Sequence, residues 1–60
     1  MWCIDWEHEK MSNEEGIVVH MHWADNGDLE QELSVPFHCS ELRKRQLLIE
    51  TKHMLLKSIA

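Results

Sequence analysis

The chain has 60 residues, with eleven acidic side chains against six basic ones, a net charge of −5, five histidines, two glycines and one proline. A chain this short buries only about 60% of the surface that its unfolded form exposes. That excludes a multidomain architecture and leaves little room for an enzyme pocket, yet with 43% apolar and 28% charged residues the chain is too apolar to stay disordered.

The first alternation sets Trp2, Ile4 and Trp6 against Cys3, Asp5 and Glu7, which predicts a strand over 2–8. Polar residues from His8 to Gly16 read as a connection. A second alternation places Ile17, Val19, Met21 and Trp23 on one side and Val18, His20 and His22 on the other, predicting a strand over 17–23. A third, over 29–35, sets Leu29, Leu33 and Val35 against Glu30, Glu32 and Ser34, with Gln31 the one exception on the apolar side.

Between these two strands stands Ala24-Asp25-Asn26-Gly27-Asp28. A two-residue turn at Asn26-Gly27 would set Trp23 opposite Glu30 and mix acids with apolar side chains. A three-residue turn with Gly27 in the left-handed conformation shifts the register by one, so that Trp23 faces Leu29 and Val19 faces Leu33. Since a one-residue slip exchanges the faces of a whole strand, the bulged turn is the expected one. Pro36, lacking an N–H, ends the ladder.

From Ser40 onward there is no glycine or proline, and Leu, Lys, Arg, Gln and Glu dominate, which predicts a helix over 41–58 with Ser40 as its N-cap. At about 100° per residue, Leu42, Ile49 and Leu56 fall on one line with Leu48, Leu55 and Ile59 beside it, a stripe suited to covering the sheet. Leu47 and Met54 fall well outside it, roughly 140–180° from the line through Leu42, Ile49 and Leu56, and read as a second apolar surface for another subunit. The expected fold is α+β: a three-stranded antiparallel meander (2–8, 17–23, 29–35) with one C-terminal helix (41–58) packed on one face, all in a single domain spanning 1–60.

The charge is segregated. Residues 1–39 hold nine acids and one base, a net −8, while residues 40–60 hold two acids and five bases, a net +3. Asp25, Asp28, Glu30 and Glu32 on the hairpin, with Glu14 and Glu15 before it, form an acidic rim suited to a basic surface, including one that normally holds nucleic acid. Arg43-Lys44-Arg45 at the helix start is a basic patch that offers an alternative, nucleic-acid binding, which the −8 body disfavours.

In the expected register His22 sits opposite Glu30 and His20 opposite Glu32, with Asp5 and Glu7 on the far side of the central strand. His-x-His on a strand directs both rings the same way, so a zinc site using His20 and His22, completed by a nearby Asp or Glu or by the outward Cys3, is the alternative to simple cross-strand pairing. Cys-x-x-Cys and His-Glu-x-x-His are absent. His38-Cys39 precedes the helix, but sequence neighbours rarely have the geometry for nucleophilic catalysis, and Cys3 and Cys39 read as free thiols.

The longest aliphatic runs, Ile17-Val18-Val19 and Leu47-Leu48-Ile49, fall far short of the roughly 18 residues a membrane span needs. No basic-then-apolar leader precedes Asp5. The sequence therefore predicts a cytoplasmic, non-enzymatic regulatory or adaptor module without a cofactor. It would act through protein–protein contact with a basic or nucleic-acid-binding protein and associate as a homodimer or higher oligomer.

Overall fold

The computed structural model describes residues 1–59. Four strands follow one another along the chain, β1 (Cys3–Asp5), β2 (Lys10–Ser12), β3 (Val18–Trp23) and β4 (Leu29–Ser34), and the helix α1 (Glu41–Ser58) closes it. The strands form one antiparallel meander in the order β1-β2-β3-β4, and α1 packs against β4. The α+β class, the hairpin and the helix bounds are those the sequence predicts. No helix is long and apolar enough to cross a membrane among the described residues.

Two turns of the same design shape the sheet. At β3–β4, Ala24 N–H donates to Asp28 O at 2.8 Å and Gly27 N–H donates to Ala24 O at 2.9 Å, with Gly27 at φ 90°. The register is accordingly the bulged one, pairing Trp23 with Leu29, His22 with Glu30, His20 with Glu32 and Val19 with Leu33. At β2–β3 the pattern recurs: Asn13 N–H donates to Ile17 O at 3.2 Å and Gly16 N–H donates to Asn13 O at 3.1 Å, with Gly16 at φ 84°. Asn13 Oδ1 also accepts the N–H groups of Glu15 and Ile17, at 3.0 and 3.2 Å, the local bonding that favours Asn in turns.

This second turn corrects the three-strand expectation. The segment His8–Gly16 is not a plain connection but contains β2, which pairs with β1 through Asp5 and Lys10 and with β3 through Lys10 and His20. The strand expected over 2–8 ends at Asp5, and residues 6–9 turn the chain back, with Glu9 at φ 53°. β2 escapes the alternation reading because its three residues contain a single apolar side chain, Met11, which is fully buried.

One face of the sheet is apolar: Ile4, Met11, Val19 and Leu33 lie in one row across the four strands. Met11, Val19, Met21, Leu29 and Leu55 form the buried cluster, with Trp2, Ile4, Trp6, Leu33 and Met54 packed against it. Each such aliphatic side chain, fully buried, contributes roughly 1.5–3 kcal/mol of transfer free energy.

The helix meets this face through Leu55, as expected, but not through the line of Leu42, Ile49 and Leu56. Leu47, Thr51 and Leu55 are buried, whereas Leu42, Ile49 and Leu56 are exposed. Thr51 is the reason. Its hydroxyl donates to Leu47 O at 2.8 Å and accepts from Gln31 Nε2 at 2.9 Å, so a polar residue occupies the centre of the buried arc and conceals it from an apolar count. Gln31, the exception in the β4 alternation, is its partner.

Candidate functional site

The second face of the sheet is polar, and its rows follow from the registers. Asp5, Lys10, His20 and Glu32 form one row across the strands, and Cys3, Ser12, Val18 and Ser34 form the next. Beyond them His22 Nε2 lies 3.0 Å from Glu30 Oε1 on the exposed surface. Lys10, not Asp5 or Glu7, is therefore the neighbour of His20 on the β2 side.

That interposed strand separates the residues expected to bind zinc. Cys3 is two strands from His20 and His22, roughly 10 Å across the sheet at the usual strand spacing, and its row partner on β3 is Val18, so the two histidines lie two and four residues further along. Among the described residues the metal-type donors that do converge are Asp5, Glu7 and His8, whose ligand atoms lie within 4.8 Å of one another. Asp5 is already engaged there. Its Oδ2 lies 2.7 Å from His8 Nδ1, and its Oδ1 accepts the His8 backbone N–H at 3.2 Å. These bonds, the side-chain one foremost, hold the Asp5 carboxyl below its ordinary pKa. The group reads chemically as a pinned turn with a free carboxylate beside it.

The acidic rim is rearranged by the same topology. Glu14 and Glu15 belong to the β2–β3 turn, whereas Asp25 and Asp28 belong to the β3–β4 turn at the other end of β3. Six strand residues separate the two turns, a span of about 20 Å. Glu14 instead pairs with the Met1 ammonium, which lowers its pKa.

What joins Asp25 and Asp28 is the β1–β2 turn. Met21 N–H donates to Glu9 O at 2.9 Å, and the rings of Trp6 and Trp23 stack with centroids 6.4 Å apart and planes 5° from parallel. Residues 6–9 therefore flank the β3–β4 turn, and Asp5, Glu7, Glu9, Asp25, Asp28 and Glu30 share one end of the sheet. Trp23 remains 47% exposed there. Sequence reasoning missed Glu9 and the tryptophan pair at this site. The signal was Asn13 followed by Gly16-Ile17, which repeats the spacing of the recognised turn and implies the extra strand that folds residues 6–9 back.

The helix carries the remaining candidates. Leu47 is 2% exposed and Met54 is half-buried against the core cluster, so the surface expected to meet another subunit is used inside the chain. Arg43 and Arg45 are exposed in the first turns of α1, while Lys44 is half-buried and pairs with Glu41 at 3.5 Å. Lys44 also borders a cleft of about 450 Å³ with Leu33, Val35, Phe37, His38, Cys39 and Glu41. Lys44 beside Val35, Thr51 on Gln31 and Leu55 beside Leu29 run α1 back along β4, so the basic helix start lies at the end of the sheet that carries the β2–β3 turn, away from the β1–β2 and β3–β4 turns. Both cysteines are free thiols. Compared with known proteins, the chain matches no family model, no curated protein and no solved structure.

Proposed function

We propose that the protein is a small non-enzymatic adaptor or regulatory module whose acidic turn end docks on a basic segment of a partner protein. The observation that carries this reading is that six carboxylates, from Asp5, Glu7, Glu9, Asp25, Asp28 and Glu30, share the end of the sheet that carries the stacked and partly exposed Trp6–Trp23 pair. Carboxylates at a rim steer a cationic partner and set its orientation. An exposed tryptophan supplies a large apolar anchor and a ring face that attracts arginine or lysine. The two features together recognise an Arg/Lys-rich segment better than either alone.

The tryptophans make the test direct. Titration with an arginine-rich peptide is expected to change intrinsic fluorescence saturably, with affinity falling as salt rises. Glu7→Lys combined with Glu30→Lys is expected to weaken binding by at least about tenfold, since close opposite charges become like charges. Both positions are exposed, so folding, checked by circular dichroism, is expected to survive. Binding that is insensitive to salt and to the charge reversal, or no fluorescence change at all, would sink the reading.

A further inference from the structure

We propose that the outward side of α1 is a docking seam for an acidic amphipathic helix of a partner protein. Leu42, Ile49 and Leu56 recur every seven residues on the side turned away from the sheet and are 66%, 57% and 42% exposed. Seven-residue spacing keeps side chains on one narrow line, the pattern against which a second helix lies. Along one flank a groove of about 470 Å³ passes Ile49 and Met54 and is edged by Gln46, Glu50, His53 and Lys57.

The charges select the occupant. Three residues beyond each member of the apolar row stand Arg45, Lys52 and Ile59, so two of the three adjoining positions that a symmetrical seam would fill with apolar side chains are cations. Among the described residues, Arg43, Arg45, Lys52 and Lys57 form no ion pair within the chain. Cations left unpaired beside an apolar row are matched by carboxylates brought from outside. A second copy is disfavoured because it sets one +3 helix segment against another, the two acids of that segment, Glu41 and Glu50, being outnumbered by its five bases. A lipid surface is disfavoured because the row is one side chain wide, whereas helices that lie in a membrane interface bury a broad apolar face. This seam lies on the side of α1 turned away from the sheet, and its test does not depend on the acidic turns.

The probe is a synthetic helical peptide of three heptads with leucine at the a and d positions and glutamate at e and g, titrated into isotopically labelled full-length protein. The expected result is saturable chemical-shift change centred on Leu42, Arg45, Ile49, Lys52 and Leu56, weakening about tenfold between low and high salt. Ile49→Asp is expected to abolish it with the helical circular dichroism retained, because Ile49 is exposed. Arg45→Glu with Lys52→Glu is expected to switch preference to the peptide carrying lysine at e and g. The proposal is overturned if the acidic peptide leaves these resonances unmoved, or if both peptides bind wild-type protein equally. It is likewise overturned if Ile49→Asp instead dissolves a homodimer seen by sedimentation, or abolishes flotation with anionic phosphatidylserine vesicles.

Discussion

Asp5 ends β1 and is gripped at both oxygens by His8, through the ring at 2.7 Å and the backbone N–H at 3.2 Å. A carboxylate accepting two such bonds is favoured in its charged form, which is why its pKa lies below the ordinary value. The linkage has a definite sign. Stabilisation from this group is complete above the unfolded-state aspartate pKa of about 3.9 and is lost as pH falls through the lower folded-state value. Asp5→Asn retains an oxygen for the His8 N–H and removes only the charge. Thermal denaturation is therefore expected to show the variant less stable than wild type at neutral pH, with the gap constant down to about pH 4–5 and closing below it. A gap that persists unchanged into strong acid would mean that Asp5 acts by shape alone.

At the scale of elements, the two places where apolar periodicity breaks are each other's partners. Gln31 Nε2 meets Thr51 Oγ1 at 2.9 Å and Leu48 O at 3.3 Å, and Thr51 in turn donates to Leu47 O. Among the described residues, no buried side-chain polar atom is left without a partner. Removing one member should cost more than removing both. Thr51→Val is expected to lose about 1–2 kcal/mol by leaving Gln31 under-bonded, whereas Gln31→Leu with Thr51→Val is expected to be near neutral, a difference that urea denaturation of the cycle measures. The same pair explains what the sequence did and did not disclose. Long alternations and a capped, glycine-free run made β3, β4, their turn and α1 legible. The orientation of α1 was not, because counting apolar side chains favours Leu42, Ile49 and Leu56 over an arc centred on a threonine. β2 was not, because three residues with one methionine carry no period. The acidic residues were legible as a class, but their grouping depended on β2, so Glu14 and Glu15 were joined to the wrong end and Glu9 was passed over.

Over the whole molecule, the shortage of core set by 60 residues is met within the chain by turning Leu47 and Met54 inward. A body measuring 32 × 20 × 17 Å still has few layers to bury. Domains of this size rarely hold more than about 3–5 kcal/mol of net stability, so the loss of one central contact is comparable with the total. Leu47 is 2% exposed and neighbours the Thr51 network. Leu47→Ala is expected to cost about 2–5 kcal/mol and to leave much of the population unfolded at room temperature by circular dichroism. Leu42→Ala, at a position 66% exposed, is expected to change stability by no more than about 0.5 kcal/mol. The contrast tests the orientation of the helix and the division of labour around it together. If the two costs were exchanged, the row read as an outward seam would be the core stripe, and the surface available to a partner would be the one carrying Leu47 and Met54.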